Sequence, residues 1–251
     1  EGFCFPAARF MKKGQLLNTL NRGKIALSAS VSCLNLYNIQ SDMEKINGSA
    51  IGFLHFDVVD GRFNDCFILG TPTLSAIRPH TRLPIEAHLA VYDPKKYVRQ
   101  FAEAGADYIS VHYEAEDKAG LLKCFRAIKE CGCEPVLALR AETAVDDAIV
   151  ELAREVPWIL KLTVNPGYSG QKIQDEAFEK IKDLRRALTG ARLNTGIQAD
   201  GNVNAATIPR LVESGADILT GGTSGLFLPD ADIPEAAKRL LDIAEKAARP
   251  A

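Results

Sequence analysis

Glu103-Ala104-Gly105-Ala106-Asp107-Tyr108-Ile109 and Glu213-Ser214-Gly215-Ala216-Asp217-Ile218-Leu219 repeat one local pattern. In each, a glycine ends a helix in a left-handed cap and the chain turns directly into a short apolar strand. Outward from these two turns, strand-like runs recur near Ile25–Val31, Ile51–Val58, Pro84–Leu89, Tyr108–His112, Glu134–Leu139, Trp158–Val164, Thr195–Ala199 and Ile218–Thr220. They are short and apolar, as strands buried on both faces are. Segments with helical spacing and charge lie between them, such as Pro94–Ala104, Ala119–Glu130, Val145–Glu155, Asp175–Leu188 and Ala205–Ser214. Strands alternating with helices in this way predict a (β/α)₈ TIM barrel of the α/β class. An open doubly wound sheet would carry Gly-x-Gly-x-x-Gly after its first strand, which is missing. No linker or low-complexity stretch interrupts the chain. Residues 1–251 therefore read as a single barrel domain, with 1–23 an N-terminal extension packing on the barrel.

The chain is 47% hydrophobic and 25% charged with a net charge of −2, which suits a large buried core and argues against nucleic acid or an anionic membrane as partner. No apolar run approaches the roughly 20 residues that span a bilayer. The first 23 residues are basic without a sustained apolar stretch, so no secretion signal is read there. Six scattered cysteines form no regular framework, and Cys131-Gly132-Cys133 matches neither a zinc knuckle nor a redox pair. Free thiols in a reducing cytosol are the expectation, and with them a cytoplasmic protein.

If the strands are parallel, their C-terminal ends form the active face. In a strand, residues two apart share a face, so His55 and Asp57 of His55-Phe56-Asp57 aim at one spot. His88 closes the next strand, His112 the one after it, and Asp200 the seventh. A lone histidine at a strand end is more often a hydrogen-bonded core residue than a ligand, and a lone Asp-Gly is usually a turn. Four such groups at coincident strand ends reverse those odds. His55, Asp57, His88 and Asp200 make a four-ligand set for a divalent metal, and Zn²⁺, Mn²⁺, Fe²⁺, Co²⁺ or Mg²⁺ remain open. Two carboxylates flanking a planar intermediate, with a metal polarising the neighbouring carbonyl, suit removal of a proton from one face and its return to the other. His112 and Ser30 stand open between site and packing roles.

Glycine-rich turns follow the last strands: Asn165-Pro166-Gly167-Tyr168-Ser169-Gly170-Gln171, Asp200-Gly201-Asn202 and Gly221-Gly222-Thr223-Ser224-Gly225. Glycines let backbone N–H groups approach a phosphate, and barrels bind phosphate after strands seven and eight. A short helix beginning at Thr223-Ser224 is expected to add its dipole.

Taken together, Ser30-Val31-Ser32-Cys33, His55-Phe56-Asp57-Val58-Val59-Asp60-Gly61, His88-Leu89, Val164 to Gln171, Ala199-Asp200-Gly201 and Gly222-Thr223-Ser224-Gly225-Leu226-Phe227 resemble the ribulose-phosphate 3-epimerase family, over about Ile25 to Phe227. The resemblance implies a barrel of the ribulose-phosphate-binding type, one divalent metal ion, and inversion at C3 of a phosphorylated ketose through an enediolate. It implies His55, Asp57, His88 and Asp200 as ligands, with Asp57 and Asp200 alternating as acid and base. Ser30 and His88 would contact the sugar. Gly167, Tyr168, Ser169, Gly170, Gly201, Asn202, Gly222 and Thr223 would hold the phosphate end. The expected reaction converts D-ribulose 5-phosphate to D-xylulose 5-phosphate in a homo-oligomer.

Some positions depart from the family pattern. Methionines usually lie over the reacting carbons, and Val59, Ala90 and Leu162 stand there instead. Ala90 leaves space that a methionine would fill. Asp60-Gly61-Arg62-Phe63, Asp200-Gly201-Asn202 and Arg140-Ala141 also differ, the last putting a cation near the mouth. The run Gly222 to Phe227 is closer to the allulose-6-phosphate 3-epimerase branch, which makes D-allulose 6-phosphate, with D-fructose 6-phosphate as product, the alternative substrate. A sugar-phosphate aldolase or decarboxylase would want a lysine beside the acids, and its Asp-x-Lys-x-x-Asp arrangement is absent. A non-catalytic phosphosugar-binding barrel would be marked by loss of Asp57 or Asp200, and both are present.

Overall fold

The computed structural model describes residues 24–164, 172–173 and 175–248. The expected extension 1–23 and the loop carrying Gly167, Tyr168, Ser169 and Gly170 lie outside the described residues.

Parallel strands β1 (Ala26–Ser30), β2 (Phe53–Asp60), β3 (Ile85–Ala90), β4 (Tyr108–His112), β5 (Glu134–Leu139), β6 (Trp158–Leu162), β7 (Gly196–Asp200) and β8 (Ile218–Gly221) follow one another around the sheet. β1 pairs with both β2 and β8, which closes the barrel. A two-residue strand, Phe67–Ile68, runs antiparallel against the end of β2. Helices α1 (Ile39–Asn47), α2 (Thr71–Ile77), α3 (Lys95–Ala104), α4 (Lys118–Glu130), α5 (Asp147–Leu152), α6 (Asp175–Gly190), α7 (Ile208–Glu213) and α8 (Ile233–Ala248) stand between and after the strands. Their apolar stripes meet the outer faces of the strands in one large core.

The repeated turn has a physical explanation. Gly105 and Gly215 have φ of 111° and 107°, a conformation that a β-carbon penalises. A β-carbon there would also press into Arg78 and Arg185, respectively. Each arginine crosses its glycine to reach the aspartate two residues on. Arg78 Nη1 lies 3.0 Å from Asp107 Oδ2, and Arg185 Nη2 bonds Asp217 Oδ2. Those carboxylates also accept from the backbone N–H of Ile85 and Ile197 on the preceding strands, at 3.0 and 2.8 Å. Glycine, alanine and aspartate thus pin a helix end, a strand start and a neighbouring strand together.

Inside the barrel, the two-residue period of the strands sorts the side chains into layers. Ala26, Phe53, Tyr108, Val136, Trp158 and Ile218 belong to a dry cluster at the floor. Above it lie Ser28, His55, Glu86, Ser110, Gln198 and Thr220, all buried and hydrogen-bonded to one another. Ser30, Asp57, His88, His112, Leu162 and Asp200 come two residues later on their strands and face the mouth. An apolar floor thus supports a polar layer, which supports the site.

Candidate active site

β2 and β3 are in register so that Asp57 lies beside His88 and His55 beside Glu86. Asp200 ends β7, three strand steps from β2 by way of β1 and β8. One donor atom from each of His55, Asp57, His88 and Asp200 falls in a group lying within 4.8 Å of one another. His55 Nε2 lies 3.0 Å from Asp57 Oδ1 and 3.5 Å from Asp200 Oδ2, and His88 Nδ1 lies 3.1 Å from the same Asp57 Oδ1. The expected constellation is assembled.

Its electrostatics call for a cation. Glu86, fully buried, accepts from the Ser110 hydroxyl and from Gln198 Nε2, and its Oε2 lies 2.7 Å from His55 Nδ1. Burial would raise its pKa, but His55 and these donors bring it below the ordinary carboxylate value. An ionised Glu86 keeps a proton on His55 Nδ1, so His55 turns Nε2, open to a second proton or to a cation, towards Asp57 and Asp200. Burial alone would lower the pKa of His55, yet Asp57, Glu86 and Asp200 together raise it well above 6.5. The same attraction, from His55 and His88, takes Asp57 well below its usual value despite burial. Asp200 goes the other way, up to about 6, because burial and the nearby Asp57 outweigh His55. Three carboxylates around one imidazole demand positive charge, and either a proton on His55 Nε2 or a divalent cation answers it. Two imidazole nitrogens and two carboxylate oxygens converging in this way are a donor set capable of holding such an ion.

Around this centre, Ser30 Oγ and Ser32 Oγ donate to Asp57 Oδ2 at 3.1 and 2.9 Å, leaving Oδ1 to the ligand group. His112 reaches the site through His88, with Nε2 to Nε2 at 2.9 Å. Its Nδ1 lies 2.9 Å from Glu114 Oε2. Burial takes His112 down to about 4, and Glu114 is drawn down to about 2 by His112, Thr143 and the Arg140 N–H, against burial that would raise it. Both shifts make the unfolded chain the better proton binder in acid, so they favour the folded state most at neutral pH. That contribution is complete above about pH 6.5 and is lost as pH falls through 4 towards 2. The thermal midpoint should drop over that range, and Glu114→Ala should flatten its lower part; a profile identical to wild type would contradict this.

The glycine turns are partly in view. Gly201 has φ of 122° and Asn202 of 49°, and a β-carbon on Gly201 would strike Val164 Cγ2 at 2.5 Å. Gly225 sits so close to the Val203 carbonyl that a β-carbon would meet it at 2.5 Å, and Ser224 Oγ donates to the same oxygen. The loops after β7 and β8, with Gly201, Asn202, Gly222 and Thr223, are therefore packed together. The expected helix at Thr223-Ser224 is only a single turn, closed on the Gly222 carbonyl by Leu226 N–H at 2.9 Å. The following residues, Leu228 to Asp232, reach α8 without continuing it.

Over β2 and β3, Val59 and Ala90 are register partners and pack with Phe63 in a closed apolar cluster. The Phe63 and His112 ring centroids are 4.6 Å apart, and the Arg140 guanidinium lies over the Phe63 ring at 4.2 Å from its centroid. The space beside Ala90 is thus taken up by an aromatic ring rather than left open, and Leu162 is buried next to Asp200 on β7.

Against known proteins, the profile of the ribulose-phosphate 3 epimerase family matches residues 26–227. Ribulose-phosphate 3-epimerase of Bacillus subtilis is 32% identical over 80% of this chain and 91% of that protein. The enzyme of the same name from Methanocaldococcus jannaschii is 32% identical over 89% and 92%. The chain belongs to the ribulose-phosphate 3-epimerase family. It is an isomerase of the ketose-phosphate 3-epimerase type. Among solved structures, 3-hexulose-6-phosphate synthase from Salmonella typhimurium superposes with a TM-score of 0.63 at 20% identity, covering 89% of this chain and all of that one. That likeness carries the barrel fold alone. No helix among the described residues is long and apolar enough to cross a membrane.

Several residues that support the site of this epimerase escape motif reading: Glu86, Ser110, Gln198 and Glu114. A signal existed for two of them. Glu86 stands two residues before His88 on one strand, so the strand period aims both to one face, and Glu114 follows His112 by two in the turn after its strand.

Proposed function

We propose that this epimerase inverts C3 of a phosphorylated ketose, with D-ribulose 5-phosphate as substrate and Asp57 and Asp200 as the two proton-transfer groups. The observation that carries the reading is the convergence of two carboxylates, from β2 and β7, with two imidazoles. A divalent ion held by His55, Asp57, His88 and Asp200 would supply several kcal/mol by polarising the ketose carbonyl next to the C–H that breaks. Zinc, manganese, iron and cobalt all suit this donor set.

The chain's own groups divide the remaining work. Asp57 takes the C3 proton on one face. Oδ2 is the oxygen left to carry it, and the hydroxyls of Ser30 and Ser32, 2.8 Å apart, can turn to accept from it. Asp200 returns a proton to the opposite face. Starting from the other epimer, the roles exchange. Val59, Phe63, Ala90 and Leu162 keep water from the reacting carbon. The loops after β7 and β8 would hold the phosphate through backbone N–H groups, together with Gly167 to Gly170.

The test is C3 deuteration in D₂O, followed by NMR, with D-ribulose 5-phosphate and D-allulose 6-phosphate offered separately to the metal-loaded protein. Exchange accompanied by the C3 epimer of ribulose 5-phosphate supports the pentulose reading. Preferential turnover of allulose 6-phosphate selects the hexulose alternative instead. Exchange with neither contradicts both.

A further inference from the structure

We propose that Glu114 and His112 are positioning residues that set which ring nitrogen of His88 is left bare for the metal. The inference rests on the metal-site reading above and extends it to residues outside the four-ligand group.

The argument is one of counting protons. His88 Nε2 and His112 Nε2 are 2.9 Å apart and both are buried, so a single hydrogen lies between them: one nitrogen donates and the other accepts. Glu114 decides which. Its Oε1 accepts from the Arg140 backbone N–H at 2.9 Å and from the Thr143 hydroxyl, and its Oε2 faces His112 Nδ1. A carboxylate can only accept, so His112 carries its proton on Nδ1 and offers a lone pair at Nε2. His88 must then donate from Nε2, which leaves His88 Nδ1 bare, pointing into the group formed with His55, Asp57 and Asp200. His55 is set the opposite way, with Nδ1 donating to Glu86 and Nε2 bare. Each imidazole is thus held in the tautomer its ligand role requires, one by a direct carboxylate and one through a second ring.

The anchoring of Glu114 extends further out. Lys161 is buried on β6, and its ammonium donates to the carbonyls of Arg140, Ala141 and Thr143, the last two at 3.1 and 2.9 Å. It thereby holds the loop whose N–H and hydroxyl hold Glu114.

The test sets two substitutions in an unusual order. In Glu114→Gln, the amide oxygen stays with the immovable Arg140 N–H, so the amide NH₂ faces His112 Nδ1. His112 must then accept there and move its proton to Nε2, which confronts His88 Nε2 and drives the His88 proton onto Nδ1. In Glu114→Ala, His112 is merely freed to choose. We expect Zn²⁺ affinity, measured on the full-length chain against a competing chelator, to fall about 10–100-fold in Glu114→Gln. The fall in Glu114→Ala should be smaller, although alanine is the poorer steric match. A purely structural role predicts the reverse order, and that order, or unchanged affinity in Glu114→Gln, overturns the proposal. Imidazole ¹⁵N NMR of the wild-type chain needs no variant. His112 protonated on Nδ1 supports the relay, and His112 protonated on Nε2 overturns it. Failure of the wild-type chain to bind Zn²⁺ would refute the metal reading, whereas the His112 tautomer judges the relay independently.

Discussion

Asp57→Asn lowers C3 deuterium incorporation about 10³-fold for the epimer whose C3–H faces Asp57, the scale of losing a positioned acid–base group. The loss follows from geometry: Asp57 is the carboxylate that two serine hydroxyls and two imidazoles surround. An asparagine occupies the same volume but carries no proton from carbon. The barrel should survive, because Glu86 and Asp200 still balance His55. The companion variant, Asp200→Asn, separates two-base from one-base chemistry. With Asp57 alone, one epimer should still exchange its C3 proton with solvent while inversion stops, and the other epimer should do neither. The measurement is ²H incorporation and product configuration for both epimers, with circular dichroism to confirm folding. Undiminished exchange in Asp57→Asn of the epimer facing Asp57, or continued inversion in Asp200→Asn, sinks the assignment of the two aspartates.

Glu86→Ala is expected to cost about 3–5 kcal/mol of stability, roughly 10 °C in thermal midpoint for a domain of this size. Glu86 is fully buried, and its removal strands three donors: His55 Nδ1–H, the Gln198 amide and the Ser110 hydroxyl. Glu86→Gln should cost far less, on the order of 1 kcal/mol. Its carbonyl can still accept from His55 and Gln198, and its NH₂ can donate to Ser110, which turns to accept. Thermal unfolding of the three chains decides it. Equal losses in the two variants would mean that the charge of Glu86, not its hydrogen bonds or its volume, sets the stability of this layer.

The relation of Glu86 and Glu114 to their histidines shows where motif reading stops. A buried strand tolerates few charges, so Glu86, two residues from His88, is visible in the chain, and Glu114 stands out in the turn just past His112. Its partner is not: Glu86 reaches His55 on β2 and Gln198 on β7, and Glu114 is held from the loop after β5. The room inferred beside Ala90 shows the same limit, since Phe63 fills it from a turn well along the chain from β3.

The chain's order of apolar strands, capped helices and Gly-Ala-Asp turns determined by itself that this protein is a parallel α/β barrel, because those signals act between residues a few positions apart. It also marked His55, Asp57, His88 and Asp200, since a two-residue period sends alternate side chains to one face whatever the neighbours are. Only the closed barrel decided what those groups can do. Pairing β1 with both β2 and β8 brings Asp200 to His55 and stacks the polar layer beneath them. Ring tautomers and carboxylate charges are then set by contacts across strands, and such contacts exist only once the sheet has closed.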